Sequence, residues 1–326
     1  MLNFWQSLQK PIIALAPMED VTDTVFREVI RSVSEPDALH VMFTEFTSTD
    51  GLCNKKGREF VATRLVVNET ERALLKVTNT KLVAQIWGSD PEKFHESAKL
   101  ISALGLFDGI DINMGCPVKK VVKNHSCSDL INHPDMANEI IIATREGTDL
   151  PVSVKTRIGF SSIVTEEWIG ELLEVHPAAI TIHGRTRAMM SNGLALWDEI
   201  GKAVQLRNQS NSSTLILGNG DVDSHVTALA RVRDFGVDGV MVGTGIFKNP
   251  WMFNAAEKGI SMQMRIDLLV KHITLYDRTW KDKGNFNVLK RFFKIYLNGF
   301  EGAVHWRDQL MHCRNCEEAL EVIKRI

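Results

Sequence analysis

The sequence predicts a (β/α)8 TIM barrel followed by a small all-helical C-terminal domain. Eight short apolar segments lie within the first 250 of the 326 residues, and stretches with the 3,4 spacing of amphipathic helices separate most of them. Strands that alternate with helices form parallel sheets, and eight such units over about 250 residues match a closed barrel. Beyond Pro250 the pattern is helical only. The predicted domains are therefore residues 1–254, the barrel, and residues 255–326, the helical domain.

Each predicted strand is followed by polar or glycine-containing residues, on the side of the barrel where such folds carry out chemistry. The strands are predicted at 12–16, 40–43, 81–86, 109–112, 152–154, 178–182, 214–217 and 239–242. An open doubly wound sheet is the structural alternative. The Gly-x-Gly-x-x-Gly turn expected after its first strand is absent, because Ala-Pro-Met-Glu stands at residues 16–19.

Helices are predicted from the spacing of apolar residues. They lie at 21–33, 91–104 and 136–145 in the barrel, and at 266–280 and 289–300 in the tail. The last of these carries Lys290, Arg291 and Lys294 on one side. Residues 47–80 show little periodicity, and we expect a loop there that contains a helix or a hairpin of unknown position.

Composition and charge limit the classes of protein to consider. The chain is 44% hydrophobic and 24% charged, with a net charge of -2. Residues 251–326 hold 13 lysines and arginines against 9 aspartates and glutamates, so a slightly basic tail follows an acidic body. Such a charge asymmetry is typical of a protein that binds a polyanion, although ordinary surface variation also produces it. No apolar run approaches the ~20 residues that span a bilayer, and the N-terminus lacks a signal-peptide pattern. We expect a cytoplasmic protein without membrane contact.

One cysteine stands out by its position. The segment 109–112 reads as a buried strand, and the motif Asn-Met-Gly-Cys-Pro at residues 113–117 then turns sharply. This turn exposes the thiol of Cys116, with the amide of Asn113 three residues before it. A thiol on an exposed turn can act as a nucleophile or an acid, whereas a structural cysteine is usually packed and inert.

Two glycine-containing loops follow the seventh and eighth predicted strands. They are Gly-Asn-Gly-Asp at residues 218–221 and Gly-Thr-Gly at residues 243–245. Either loop alone is more simply explained as a tight turn. Barrels often bind a phosphate at these two strand ends through backbone N–H groups, so the pair favours a phosphate site.

Three further polar residues follow predicted strands. Lys155 at an interior strand end is costly unless it is paired. It suits either the negative charge on a reduced flavin or an ion pair with Glu45 or Asp111. Gln85 offers a donor and an acceptor to a heterocycle. His183 is either a donor to a cofactor or a satisfied strand-end histidine, and the two arginines after it favour an anionic ligand.

The other four cysteines carry less information. An odd count of five does not suggest a disulfide framework. Cys313 and Cys316 have the spacing of a zinc or redox pair, but a second pair is missing, so no metal site is expected and the pair is unexplained. Cys127 is either a bystander or a shifted second thiol, and Cys53 is interpreted as structural.

Taken together, the motifs resemble the tRNA-dihydrouridine synthases, nearest to their bacterial B branch. The motifs are Ala-Pro-Met at 16–18, Asp-Ile-Asn-Met-Gly-Cys-Pro at 111–117, Val-Lys-Thr-Arg at 154–157, His-Gly-Arg-Thr-Arg at 183–187, Gly-Asn-Gly-Asp at 218–221 and Asp-Gly-Val-Met-Val-Gly at 238–243. The resemblance covers residues 10–255 clearly and the tail more loosely. The combination of the cysteine and histidine motifs in one barrel is highly specific.

This resemblance implies an FMN-bound barrel that uses NADPH to reduce selected uridines of tRNA to 5,6-dihydrouridine. Cys116 would donate the proton to uracil C5, while hydride from reduced FMN goes to C6. The residues implied in binding the cofactor are Pro17, Met18, Gln85, Asn113, Lys155, Arg157, His183, Asn219, Asp221, Gly243 and Thr244. The helical tail, with Lys290, Arg291 and Lys294, would bind tRNA, and we expect a monomer.

Two departures from the family pattern are visible. The family usually has an arginine facing the phosphate at the position of Thr244, and a run of small residues with glycine where this chain has His-Ser-Cys at 125–127. A flavin enzyme acting on free pyrimidines, such as a dihydroorotate or dihydropyrimidine dehydrogenase, is the enzymatic alternative, but it would not need a basic tail. A tRNA-binding or chaperone-like protein without redox chemistry is the other alternative.

Overall fold

Eight parallel strands close into a barrel in the computed structural model, which describes residues 3–255, 259–281 and 284–326. Each strand pairs with the next, and β8 returns to β1 through the partners Ile12 with Gly239 and Leu15 with Val242. The TIM barrel predicted from the sequence is therefore confirmed. The strands are β1 Ile12–Leu15, β2 Val41–Phe43, β3 Lys81–Trp87, β4 Gly109–Asn113, β5 Val152–Arg157, β6 Ala179–His183, β7 Leu215–Asn219 and β8 Gly239–Val242.

The strand register places the polar strand ends side by side. Asn113 of β4 lies opposite Lys155 of β5, Arg157 of β5 lies opposite His183 of β6, and His183 lies opposite Asn219 of β7. Parallel strands direct their carboxyl ends to one rim, so these side chains share the same mouth of the barrel. The aliphatic residues before them are buried and fill the interior and the layer beneath the helices.

The surrounding helices follow the apolar spacing of the sequence. The helix predicted at 91–104 has these bounds in the structure, with Asp90 as its N-cap. The α-helices within the first 255 residues are α1 Phe4–Ser7, α2 Thr24–Val33, α3 Thr49–Cys53, α4 Lys55–Val61, α5 Glu69–Val77, α6 Pro91–Leu104, α7 Lys119–Val122, α8 Pro134–Glu146, α9 Thr165–Glu174, α10 Trp197–Gln209 and α11 His225–Phe235.

The segment 47–80 is more helical than the sequence indicated. It holds a two-residue strand, Thr47–Ser48, beside β3, then α3, α4 and α5. These helices are only five to nine residues long, and side-chain caps such as Ser48 and Asn54 define the starts of the first two rather than a long apolar period. Glu71 of α5 is joined to Arg27 of α2 by a fully buried ion pair of 2.6 Å. This contact fixes the segment on the barrel.

The described part of the tail is all-helical, as predicted. It contains α12 Met262–Trp280, α13 Phe293–Tyr296, α14 Ala303–His312 and α15 Cys316–Ile323. The helix predicted at 289–300 is replaced by a 3-10 helix, Phe286–Phe292, that leads into the short α13. The boundary at 254/255 stays a prediction, and residues 256–258 and 282–283 of the predicted helical domain lie outside the described residues.

The tail packs on α2 of the barrel through aromatic rings. The rings of Phe26 and Phe292 are stacked at 5.1 Å, and the buried His272 ring lies 4.9 Å from that of Phe292. His272 also shares a 2.7 Å hydrogen bond with the hydroxyl of Tyr296. Barrel and tail thus contribute to one continuous apolar core. Among the described residues, every helix is too short or too polar to cross a membrane.

Candidate active site

The turn after β4 is held by the side chain of Asn113. Its Oδ1 accepts hydrogen bonds from the backbone N–H groups of Gly115 and Cys116, both at 3.0 Å. Arg157 Nε donates to the carbonyl of Gly115 at 2.6 Å from the neighbouring strand. These contacts fix the backbone that presents the partly exposed thiol of Cys116 at the rim. The turn predicted around Cys116 is present.

Cys116 lies next to a second thiol. The buried Cys127 hydrogen-bonds to it, and this contact is the main reason why the pKa of Cys116 falls to about 7. Burial opposes this shift, whereas a backbone contact at Val118 and the charge of Arg157 add to it. Burial raises the pKa of Cys127 itself, so Cys127 is the donor of the pair.

A chain of hydrogen bonds runs behind the turn. Asn113 Nδ2 donates to Gln85 Oε1 at 3.0 Å, and Gln85 Nε2 donates to Asp111 Oδ2 at 2.7 Å. Ser153 Oγ donates to the other oxygen of Asp111 at 2.6 Å. Burial raises the pKa of Asp111 to about 6. Gln85 and Asn113 are therefore oriented by the protein itself, and neither lines the cavity described next.

A cavity of about 570 Å³ opens at the rim beside β1, β5, β6, β7 and β8. This volume is in the range of small-molecule and cofactor sites. Eight residues predicted to bind a cofactor line it, whereas Gln85, Asn113 and Arg157 do not. The eight are Pro17, Met18, Lys155, His183, Asn219, Asp221, Gly243 and Thr244.

Lys155 is a part-buried cation that lines this cavity. Its Nζ donates to Asn219 Oδ1 at 3.2 Å, and it makes no ion pair with Glu45 or Asp111, the alternative considered from the sequence. Burial, helped by the nearby charge of Arg157, lowers the pKa of Lys155 to about 8. A part-buried ammonium that makes no ion pair with a described carboxylate is suited to an anionic ligand.

The same cavity contains an ion pair, between Arg185 and Asp221, that the sequence did not assign. Arg185 Nη2 donates to both carboxylate oxygens of Asp221, at 2.6 and 2.8 Å, and Arg185 Nη1 lies 3.1 Å from His183 Nε2. Burial and the charges of Lys155, Arg157 and Arg185 lower the pKa of His183 to about 2. His183 is thus a neutral imidazole, and its Nε2 accepts the hydrogen bond from Arg185.

The loop at residues 218–221 requires a glycine at one position. Gly220 has a φ of +121°, and a Cβ there would lie 2.7 Å from the Cβ of Ala195. The indole of Trp197 donates to the carbonyl of Gly220 at 2.9 Å. This position therefore accepts only glycine without a shift of its neighbours.

Arg157 is used as a brace. Besides Gly115, its guanidinium donates to the carbonyls of Thr186 at 3.1 Å and Met190 at 2.8 Å. It joins the turn that carries Cys116 to the loop after β6. The sequence indicated a basic residue at a strand end but gave no sign that backbone carbonyls would occupy it.

The model of the family described as dihydrouridine synthase (Dus) matches residues 14–326. The chain belongs to the dihydrouridine synthase family. Among curated relatives, a probable tRNA-dihydrouridine synthase of Staphylococcus aureus (strain COL) is 43% identical over 319 residues, covering 97% of this chain and 93% of that one. Probable tRNA-dihydrouridine synthase 2 of Bacillus subtilis (strain 168) is 42% identical over 318 residues, covering 97% and 94%.

A solved structure confirms the fold of this dihydrouridine synthase family member. The structure described as "Crystal structure of TcOYE with pHBA" superposes with a TM-score of 0.50 at 12% identity, covering 74% of this chain and 87% of that one. At this level of identity the likeness concerns the barrel alone. Membership of the dihydrouridine synthase family, which the motifs indicated, is confirmed over nearly the whole chain.

The three tail cations predicted to bind nucleic acid differ in their surroundings. Lys290 donates to the carbonyl of Met311 at 2.8 Å, and Arg291 donates to the carbonyl of Asp20 at 3.0 Å. Lys294 is exposed. The sequence analysis missed three exposed lysines just after the cysteine turn of this dihydrouridine synthase family member, which are Lys119, Lys120 and Lys123. Their signal was the run Lys-Lys-Val-Val-Lys at 119–123.

An exposed cluster lies on the same loop. His125 Nδ1 is 2.9 Å from Asp129 Oδ2, and His133 Nε2 is 3.6 Å from the same oxygen. Both histidines are largely exposed, and such surface groups are common in proteins without any bound ion. We assign no ligand to them, and the expectation that this dihydrouridine synthase family member has no metal site stays a prediction.

Proposed function

We propose that this protein is a tRNA-dihydrouridine synthase that reduces the C5=C6 bond of specific uridines in tRNA to 5,6-dihydrouridine, with bound FMN and with NADPH as electron donor. Membership of the family and the names of the relatives support the reaction. The observation that carries the proposal is the placement of a partly exposed thiol and a part-buried lysine on neighbouring strand ends. Met114 N donates to the carbonyl of Lys155 at 2.8 Å, which joins the two strand ends directly.

The residues of the cavity fit FMN. Lys155 is a part-buried cation whose Nζ donates to Asn219, and residues 219–221 and 243–245 of the two glycine-containing loops line the same cavity. The proposed binding residues are Pro17, Met18, Gln85, Asn113, Lys155, Arg157, His183, Asn219, Asp221, Gly243 and Thr244. When bound and reduced, FMN supplies the hydride for uracil C6. Lys155 would stabilise negative charge on its ring, and Gln85, Asn113 and Arg157 would act by holding the rim that faces it.

Cys116 is the proposed proton donor. Adding hydride to C6 leaves C5 needing one proton, and the Cys116 thiol can deliver it and become a thiolate. With a pKa of about 7, the thiol is about half protonated at neutral pH, so a useful fraction is always ready to donate. The hydrogen bond that the Cys116 N–H donates to Asn113 Oδ1 keeps the thiol at the rim.

Uracil in folded tRNA must leave its stack to reach this pocket, and the phosphates around it need a basic surface. Lys290, Arg291 and Lys294 are the proposed tRNA contacts of the helical domain, residues 255–326. Lys119, Lys120 and Lys123, which are exposed and follow Cys116 in the chain, are further proposed contacts. The proposed enzyme is a monomer, and it acts in the cytoplasm, where its tRNA substrate is found.

The test is the dihydrouridine content, measured by mass spectrometry, of unmodified tRNA incubated with the purified full-length protein, FMN and NADPH. We expect product from the wild type and almost none from Cys116→Ala. Cys53→Ala is the matched control, since its thiol contacts the carbonyl of Lys93 on α6, outside the proposed site. We expect it to behave as the wild type.

Two other outcomes would change the proposal. If flavin-loaded wild type makes no product on any tRNA, the synthase assignment is wrong, and reduction of free pyrimidines becomes the function to test. If Cys116→Ala makes as much product as the wild type, the function stands, but another group donates the proton.

A further inference from the structure

Cys127 occupies an unusual backbone position. Its φ is +56°, in the left-handed region that a residue with a Cβ rarely adopts, and its side chain is completely buried. A glycine would fit this backbone at no steric cost. Packing alone does not explain why this residue is a cysteine, since the small apolar side chain of alanine could also be buried here. The thiol itself is the feature to account for.

The backbone brings this thiol back onto Cys116. Ser128, the next residue, donates its hydroxyl to the carbonyl of Cys116 at 2.8 Å and its backbone N–H to the same oxygen at 3.4 Å. The segment 116–128 is therefore a closed loop whose two ends are joined by hydrogen bonds. Cys127 precedes Ser128 directly, so this closure places the two cysteines beside each other, and the Cys127 thiol is close enough to lower the pKa of Cys116.

We propose that Cys116 and Cys127 form a reversible disulfide when the protein meets a peroxide-class oxidant. The disulfide would remove the proton donor and protect it from irreversible oxidation. Only this consequence for activity rests on the proposed function, because disulfide formation itself depends on the two thiols alone.

The two cysteines have different roles in this step. Cys116 is partly exposed and its pKa is lowered to about 7, so it is the thiolate that peroxide reaches first. Cys127 is buried against it and protected from solvent. Such a pairing of an accessible thiolate with a nearby resolving thiol is typical of redox-sensitive proteins.

The chemistry balances without any further reactant. The Cys116 thiolate attacks one oxygen of hydrogen peroxide, the O–O bond breaks, and the leaving hydroxide takes up a proton to become water. This leaves a sulfenic acid on Cys116. Cys127 then loses its proton and attacks the Cys116 sulfur. The S–S bond forms, the S–O bond breaks, and a second water leaves. Two thiols lose two electrons in total, and one peroxide becomes two waters.

The experiment treats the full-length wild type and Cys127→Gly with hydrogen peroxide and then with dithiothreitol. Glycine suits the φ of +56°, so this variant should keep the loop. Peptide mass spectrometry without reduction is the first readout, and it needs no activity. In the wild type we expect a peptide that links residue 116 to residue 127, which disappears after dithiothreitol. In Cys127→Gly we expect Cys116 to progress to sulfinic or sulfonic acid.

Dihydrouridine formation is the second readout. We expect dithiothreitol to restore activity to peroxide-treated wild type but not to peroxide-treated Cys127→Gly. The proposal is overturned if the wild type gives oxidised Cys116 without the linked peptide, or if both proteins recover equally. If the linked peptide forms but the reduced wild type makes no dihydrouridine, the disulfide stands and the proposed function fails.

Discussion

Lys155 Nζ and Asn219 Oδ1 lie 3.2 Å apart across the mouth of the barrel, joining β5 to β7. The amide of Asn219 is itself fixed, because its Nδ2 donates to the carbonyl of Met241 on β8 at 2.8 Å. The ammonium is therefore held in one place by a rigid neutral group, and among the described residues it makes no ion pair with a carboxylate. Charge that is positioned in advance in a buried site is the most effective kind for stabilising a developing negative charge.

We expect Lys155→Met to slow reduction of bound FMN by NADPH about 10²-fold, the usual cost of losing one such group. The measurement is the bleaching of the visible flavin absorbance in a stopped-flow experiment under anaerobic conditions. Lys202→Met is the matched control, because Lys202 is exposed and pairs with Glu199 at 2.7 Å. An unchanged rate in the flavin-loaded Lys155 variant would show that this charge has no part in the reaction.

The pH dependence should follow the ionisation of Cys116. Protonated Cys116 is the proposed donor, so we expect activity to be full below its pKa of about 7 and to fall as pH rises through that value. Cys127→Ala removes the hydrogen bond that lowers this pKa. Its alkaline limb should therefore move to higher pH, towards the ordinary thiol value. The check is the rate of dihydrouridine formation at saturating NADPH over the pH range in which both proteins stay folded. Superimposable profiles would contradict the assigned donor.

The end of the cavity near Thr244 has a basic residue four positions further on. Lys248 lines the same cavity and donates to Asp223 at 2.8 Å. We expect Thr244→Arg to tighten FMN binding, and Lys248→Ala to weaken it by up to about five-fold, since exposed charges act weakly. Equilibrium titration of the apoprotein by flavin fluorescence measures both. Lys324→Ala, at the C-cap of α15, serves as the control. Weaker binding in Thr244→Arg would place the phosphate elsewhere.

The buried pair of Arg27 and Glu71 should govern stability. Both side chains are completely buried, and Thr24 also donates to Glu71, at 2.5 Å. Arg27→Met leaves a carboxylate without its partner, so the free energy of unfolding should fall by about 3–5 kcal/mol. Replacing both residues with apolar ones should recover part of this loss. Urea unfolding is the measurement, with Arg233→Met, from an exposed pair, as the control. A loss no larger than that of the control would contradict the prediction.

Lys294 is the best of the tail cations for testing RNA contact, because Lys290 and Arg291 already bind carbonyls of the protein. Lys294→Glu should weaken tRNA binding and reduce the slope of log affinity against log salt by about one. Filter binding at several salt concentrations gives both values. Lys99→Glu on α6 is the control. If both variants bind as the wild type does, tRNA lies on another face.

The sequence was sufficient for the barrel because its strands are short aliphatic runs, each bounded by glycine or polar residues. The sequence was less reliable where contacts with neighbouring elements determine the bounds of a strand or helix. The strand predicted at 152–154 extends to Arg157 in the structure, because ladder pairing with β6 continues past the apolar residues. Segment 47–80 was not resolved into helices, since each of them is too short to show a period.

The site was predicted by residue type but not by contact. Eight of the residues chosen from strand ends line one cavity. Three contacts join positions that are far apart in the sequence or lie at the two ends of a loop. They are Gln85 with Asp111, Arg185 with Asp221, and Cys116 with Cys127. Side-chain distances of this kind depend on the closed barrel and leave no local pattern.

The carboxylate of Asp23 belongs to two parts of the molecule at once. One oxygen caps α2 by accepting from Phe26 N, and the other accepts from the indole of Trp280 in α12, both at 2.8 Å. Together with the stacked Phe26 and Phe292, this contact makes the tail a structural support for α2. If tails are exchanged between relatives, in evolution or in the laboratory, the contacting residues of α2 would therefore have to be exchanged together with those of the tail. Truncation after residue 254 would expose the aromatic surface around Phe26 that the tail covers, and the truncated protein would tend to aggregate. Point variants therefore separate RNA binding from catalysis more cleanly than truncation does.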